Sequence, residues 1–172
     1  MSSVYHKLKE HFFDHALPEE VGGHHPRVFV AGSSKIRAHI RWLIFLLREN
    51  GYTVYDWPKA MDEELRALGR ANCDFFLGRS KRNAQDILFH SAAMDVGSAS
   101  RADVFVWVCD ERYASRGAAF EAGVACTLGI PVIVYSLGDP PDHKTGALYE
   151  TLFPRVDSQD ELLEAIDEIV GH

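Results

Sequence analysis

The nine residues ADVFVWVCD, Ala102 to Asp110, decide the fold of this chain. They contain six consecutive apolar residues that are mostly β-branched or aromatic. Such a run is typical of a strand buried on both faces of a parallel sheet. RVFVAG, Arg27 to Gly32, predicts a strand upstream, and IPVIVY, Ile130 to Tyr135, predicts another downstream. Three buried strands of this kind predict the centre of a parallel sheet.

Helical patterns alternate with these strands. Ile36, Ile40, Leu43 and Leu47 recur at the period of a helix, which Asn50-Gly51 ends. The remaining predicted elements are helices over Met61–Arg70, Asn83–Arg101, Ala118–Leu128 and Gln159–Val170, a strand over Thr53–Trp57 broken by Pro58, and a short segment near Phe153–Val156. Strands alternating with crossover helices predict an α/β fold, a single open and mostly parallel sheet with flanking helices, flavodoxin-like or Rossmann-like.

The first 26 residues follow a different pattern. Tyr5, Leu8, Phe12 and Phe13 have helical spacing, and Val21–Pro26 has the composition of a linker. We therefore expect an extra N-terminal helix and linker over 1–26 and one α/β domain over 27–172.

The composition excludes several classes of function. The 172 residues include 18 Lys and Arg against 25 Asp and Glu, a net charge of −7, which argues against nucleic-acid binding. No apolar stretch approaches the roughly 18 residues of a membrane span, so we expect a cytoplasmic protein without a membrane partner. The three cysteines form no CxxC pair, and no metal or cofactor is expected. Cys109 and Cys126 lie in apolar runs and are expected to be buried.

Ligands of open α/β sheets bind outside the carboxyl ends of the strands. Small, polar and acidic residues follow three of the predicted strands, and they predict a polar pocket at this edge. These residues are Gly32, Ser33 and Ser34, then Asp56 and Trp57, then Asp110, Ser115 and Gly117. Neither the GxxxxGK[ST] spacing of a P-loop nor a GxGxxG motif is present.

Two further carboxylates, Glu121 and Asp95, are candidate functional groups. Glu121 stands among Ala, Phe, Gly and Val in GAAFEAGVACTLG, and burial there would raise its pKa. It is either such a carboxylate or an ordinary surface charge, and the sequence leaves both open. Asp95 in AMDVGSAS has the same two interpretations near a helix end.

Three of these stretches together resemble the nucleoside 2-deoxyribosyltransferase family, including its 2′-deoxynucleoside 5′-phosphate N-hydrolase and pyrimidine-nucleotide N-glycosidase relatives. They are RVFVAGS, MDVGSASRADVFVWV and SRGAAFEAGVACTLGIPVIVY, spanning about Arg27 to Tyr135. The last is similar to the family pattern S-x-G-x-x-x-E-x-G-x-A-x-x-x-G-K-P, with Ile130 in the place of the lysine.

The resemblance implies roles for individual residues. Glu121 matches the glutamate nucleophile that attacks the anomeric carbon, and Asp95 matches the acid that assists the departing base. Ser115 and Gly117 match the turn that holds the 5′ end of the sugar or its phosphate. Gly32 and Ser33 match the loop that lines the sugar and base pocket, and Asp56-Trp57 resembles a sequence near the base. Trp57 either stacks on the base or packs on the helix after Pro58.

The expected function is cleavage of the N-glycosidic bond of a nucleoside or nucleoside 5′-monophosphate, by hydrolysis or base exchange. The resemblance also implies a homo-oligomer, a dimer or larger, with the N-terminal helix as a candidate contact. The alternatives are a TIR-like enzyme that cleaves NAD and a nucleotide-sensing module without activity. Release of nicotinamide would identify the first, and binding without base release would identify the second.

Overall fold

The computed structural model describes residues 25–67, 92, 94–110, 112–113, 115–138 and 150–171. These residues belong to two compact units, one containing the described part of Asp56–Ser98 and the other containing residues 25–55 and the described part of 99–172. The predicted N-terminal helix and most of the predicted helix Asn83–Arg101 lie outside the described residues. The division of the chain at residue 26 stays a prediction.

A five-stranded sheet lies at the centre of the larger unit, and all its strand pairs are parallel. Its spatial order is β2-β1-β3-β4-β5. The strands are β1 Arg27–Gly32, β2 Thr53–Val54, β3 Val104–Cys109, β4 Val132–Ser136 and β5 Arg155–Val156. This sheet, with helices flanking it, confirms the predicted α/β fold, although β2 is shorter than the predicted strand.

β3 is the central strand, and each of its six residues is buried. It pairs with β1 from Val28 opposite Val104 to Gly32 opposite Val108, and with β4 on its other side. A strand with neighbours on both edges and helices on both faces is almost fully shielded from water, which explains its unbroken apolar sequence.

Four helices are bounded in the described residues. They are α1 Arg37–Glu49, α2 Trp57–Ala67, α3 Arg116–Thr127 and α4 Gln159–Val170. A short 3₁₀ turn, Ser34–Ile36, precedes α1, and residues 94–99 are helical.

The predicted strand over Thr53–Trp57, broken by Pro58, was too long, because β2 ends at Val54 and Trp57 begins α2. Pro58 is the second residue of α2. Proline is tolerated in the first turn of a helix because its missing N–H would have no partner there. Pro58 therefore lies at the start of a helix that the sequence pattern placed from Met61 onward.

The two faces of the sheet pack against different helices. Phe29, Phe105 and Trp107 belong to the buried cluster that includes the α3 alanines. Residues of the other parity lie on the opposite face, where Gly32 approaches Ile40 of α1. Helices α1 and α3 therefore cover opposite faces.

The two cysteines that lie in apolar runs, Cys109 and Cys126, differ in burial. Cys109, the last residue of β3, is buried as predicted, whereas Cys126 is exposed and that prediction was wrong. The buried stripe of α3 consists of Ala118, Ala122 and Ala125. Cys126 follows Ala125 directly, and one step along a helix rotates the side chain by about 100°, which turns Cys126 away from the stripe.

Within the described part of the chain, none of the helices has the length and apolar composition needed to cross a bilayer.

Candidate functional site

The gap between β1 and β3 is the topological switch point of the sheet. The helices that follow these two neighbouring strands, α1 and α3, leave on opposite faces, so the loops at the carboxyl ends separate there. Open α/β sheets bind their ligands in this crevice. A ligand is therefore expected at the loops that follow Gly32 and Cys109.

The loop after β1 turns tightly against its neighbours. Ser33 is buried, and its hydroxyl accepts the N–H of Lys35 at 3.4 Å, whereas Ser34 is exposed. A Cβ placed on Gly32 would lie 2.8 Å from Cδ1 of Ile40 and 3.2 Å from the carbonyl oxygen of Val108. A glycine is thus required where the chain leaves β1.

The loop after β3 contacts this first loop through Ser115. Its hydroxyl accepts the N–H of Ala118 at 3.2 Å, which caps α3. The same hydroxyl lies within donating distance, 3.5 Å, of the carbonyl oxygen of Gly32. One serine therefore begins the helix and connects the two loops that border the switch point.

Glu121 lies six residues after this cap, between one and two turns along α3. A Cβ on Gly117 would lie 3.6 Å from its Oε1 and 3.9 Å from the Ser115 hydroxyl, so the carboxylate and the hydroxyl face the same bare glycine. Glu121 is half-buried, and it forms no hydrogen bond or ion pair with any residue that the structure describes.

Burial raises the pKa of Glu121 to about 7. A carboxyl whose pKa lies near neutrality is present in both protonation states at physiological pH, which suits either a nucleophile or a proton-transferring group. Of the two interpretations that the sequence leaves open, the structure favours the carboxylate in an apolar setting over an ordinary surface charge.

Asp110, the first residue after β3, is enclosed and committed to a neighbour. Its side chain is 1% exposed and holds the guanidinium of Arg112 through two bonds, 2.9 Å from Nε and 2.7 Å from a terminal nitrogen. The side-chain hydrogen bond from Arg112 is the main reason that the pKa of Asp110 lies below its ordinary value. Asp110 thus fixes the direction of the Arg112 side chain.

The sequence reasoning missed three residues beside these loops. Nζ of Lys35 lies 5.1 Å from the ring centroid of Tyr113, and the guanidinium carbon of Arg112 lies 5.4 Å from it. Lys35 follows the Ser33–Ser34 pair and Arg112 follows Asp110 by two positions, which were the only available signals. Residue spacing does not predict the directions of loop side chains, and it is these directions that bring both cations to one ring.

His39, near the start of α1, was also missed. Its ring stacks on Tyr135 at 6.1 Å, and its Nε2 is enclosed without a hydrogen-bond partner among the described residues. Burial lowers the pKa of His39, and the nearby Asp110 carboxylate partly offsets this. Burial thus disfavours the charged form of His39, whose ring packs against Tyr135 of β4 and Trp42 of α1.

The other candidates belong to the smaller unit. Asp56 accepts the N–H of Lys59 at 3.0 Å at the start of α2, Trp57 is 8% exposed, and Asp95 is half-buried in the helical segment 94–99. Their roles at the site stay predictions. Among the described residues, no three His, Cys, Asp or Glu side chains are grouped so that they could hold a metal ion.

Comparison with known proteins gives similarity at the level of structure only. No protein-family model matches the chain, and no curated protein sequence matches it. The chain is similar to the 2-deoxyribosyltransferase of Bacillus psychrosaccharolyticus, with a TM-score of 0.51 and 16% identity, covering 79% of this chain and 89% of that one. It also aligns with the CMP N-glycosidase BcmB of Clostridium botulinum, with a TM-score of 0.45 and 18% identity, covering 82% and 97%.

The fold of this chain thus has a counterpart in a solved structure. The chain has the fold of the Bacillus psychrosaccharolyticus 2-deoxyribosyltransferase.

Proposed function

We propose that this protein cleaves the N-glycosidic bond of a nucleoside or nucleoside 5′-monophosphate, by hydrolysis or by exchange of the base. The observation that carries the proposal is the Glu121 carboxylate, which is half-buried, raised in pKa and placed beside Ser115 and Gly117 at the switch point. The structural neighbour that shares the fold bears the name of a 2-deoxyribosyltransferase, an enzyme of this chemistry.

The reaction has two steps. A carboxylate oxygen of Glu121 bonds to C1′ while the C1′–N bond breaks, and the electron pair leaves with the base, which takes a proton from Asp95. In the second step a water oxygen attacks C1′ and passes its proton to Asp95. The C1′–O bond then breaks and returns its electron pair to Glu121. In base exchange, a nitrogen of the second base takes the place of water.

The remaining candidates bind the substrate. Ser115 and Gly117 hold the 5′ end of the sugar, and the bare glycine leaves room for it beside Oε1 of Glu121. Ser33 and Ser34 line the sugar pocket with Gly32, and Asp56 and Trp57 contribute to the base side. No cofactor takes part in this chemistry.

The direct test is chromatographic detection of free base. The purified full chain is incubated with nucleosides, their 5′-monophosphates and NAD. Base release from nucleosides or monophosphates supports the proposal and names the substrate. Release of nicotinamide alone indicates a TIR-like enzyme instead, and saturable nucleotide binding without release over long incubation indicates a sensing module.

The pH dependence of turnover follows from the state of Glu121. Because the nucleophile must be ionised, we expect kcat/KM to rise about tenfold per pH unit as the pH approaches 7 from below. Initial rates between pH 5 and 9 measure this, with circular dichroism at each pH to confirm folding. A rate that falls as pH rises through 7 would instead make Glu121 a proton donor.

We also expect a homo-oligomer, an expectation that comes from the family resemblance. One chain has a mass of 19.3 kDa, so a dimer has twice that mass. Sedimentation velocity at several concentrations measures the species present. A species of one chain mass throughout would contradict this expectation and leave the proposed chemistry unaffected.

A further inference from the structure

Two cations from different loops surround one aromatic ring at the edge of the site. Lys35 comes from the loop after β1, and Arg112 comes from the loop after β3. Both lie within cation–π distance of Tyr113, at 5.1 and 5.4 Å from its centroid. The ring thus gathers positive charge next to the switch point.

The guanidinium of Arg112 is held in a fixed direction. The Asp110 carboxylate bonds its Nε and one terminal nitrogen and also accepts the Arg112 backbone N–H at 3.0 Å. The Asp110 side chain is buried, whereas that of Arg112 is 68% exposed. A planar cation oriented in this way and open to solvent is suited to binding phosphate oxygens.

The formal charges of the Lys35, Arg112 and Asp110 side chains sum to +1. Asp110 offsets one of the two cations, and Lys35 forms no ion pair with any described residue, so the three side chains carry a net positive charge. The whole chain has a net charge of −7. A phosphate bound beside Tyr113 would therefore face more positive than negative charge from these three side chains.

We propose that Lys35 and Arg112 select substrates that carry a 5′-phosphate over unphosphorylated nucleosides, with Asp110 as the residue that positions Arg112. This inference rests on the proposed function, because it assigns the 5′ group of the same substrate. Ser115 and Gly117 hold the 5′ end of the sugar in that proposal, and Ser115 contacts the loop that carries Lys35.

The test uses sugars without a base, since the base is unidentified. Binding of 2-deoxyribose 5-phosphate and ribose 5-phosphate to the full chain is measured by calorimetry beside 2-deoxyribose and ribose. We expect the phosphates to bind more tightly than the free sugars. Lys35→Met and Arg112→Met should each weaken phosphate binding by about tenfold to a hundredfold, and Lys35→Arg should retain most of it.

Lys59→Met is the matched control. Lys59 is an exposed lysine that lies 3.9 Å from Glu63 on α2, and its replacement should leave phosphate binding unchanged. Equal binding of sugars and sugar phosphates, or phosphate binding that Lys35→Met and Arg112→Met leave intact, would overturn the inference.

The failure of this inference is distinguishable from failure of the proposed function. Base release equally fast from nucleosides and monophosphates, and unchanged in Lys35→Met, refutes the phosphate selection while the glycosidase stands. Phosphate binding that depends on Lys35, without base release from any compound, supports the phosphate site and refutes the glycosidase.

Discussion

Glu121→Gln is expected to abolish base release, lowering kcat by about a thousandfold or more. The amide has nearly the same size and shape, but it cannot supply the electron pair that forms the bond to C1′. Substrate binding should change little, because the groups that hold the 5′ end remain in place. Chromatographic measurement of single-turnover and steady-state rates, together with calorimetric binding, separates the two effects.

The same substitution serves as its own folding control. Burial raises the pKa of Glu121 from 4.5 to about 7, so the folded state retains the proton over a pH range in which the unfolded state has lost it. The ionised carboxylate therefore makes the folded state less stable as pH rises from about 4.5 to 7. We expect Glu121→Gln to be at least as stable as the natural chain at pH 8, with a smaller difference at pH 5.

Urea denaturation at these two pH values measures the free energy of unfolding. An inactive variant that is as stable as the natural chain would place Glu121 in the chemistry. Retained activity in a folded Glu121→Gln or Glu121→Ala variant would remove the covalent mechanism altogether.

Two alanine substitutions at glycines should change stability in opposite directions. Gly32→Ala places a Cβ 2.8 Å from Cδ1 of Ile40 and 3.2 Å from the backbone carbonyl of Val108. Ile40 is fully buried, so its side chain has little space into which to move, and the carbonyl belongs to the central strand. Overpacking of this kind costs about 1–3 kcal/mol.

Gly123→Ala is the matched comparison. Gly123 lies inside α3 and is exposed, and apart from its chain neighbours and the backbone of its own helix no atom lies within 4 Å of a Cβ built there. Alanine restricts the unfolded chain more than glycine does, so we expect a gain of about 0.5–1 kcal/mol.

Urea denaturation of both variants, monitored by tryptophan fluorescence, gives the two free energies of unfolding. The loss at Gly32 should be accompanied by weaker substrate binding, because its carbonyl oxygen lies beside Ser115. Equal effects of the two substitutions would show that the close approach at Gly32 does not constrain the loop after β1.

The sequence determined the fold class because its signals are local. Six apolar residues in a row predict a strand buried on both faces, and β3 is that strand. The periodic pattern over Gln159–Val170 predicts α4 with its observed ends, since Ser158 caps it and Gly171 follows it. The prediction of a pocket at the carboxyl ends rests on the same local logic, because parallel strands place their following loops at one edge.

Tertiary structure decided which side of each helix is buried and which loop residues meet. Cys126 and Ala125 are neighbours in one apolar run, yet only Ala125 faces the sheet. The burial of Glu121 depends on how α3 packs, because its apolar neighbours in the sequence are equally compatible with a surface carboxylate. Lys35 and Arg112 are far apart in the chain, and only the adjacency of β1 and β3 brings them to the same ring. Local patterns specify backbone conformation, whereas pKa values and charge clusters arise from side chains that are distant in sequence and close in space.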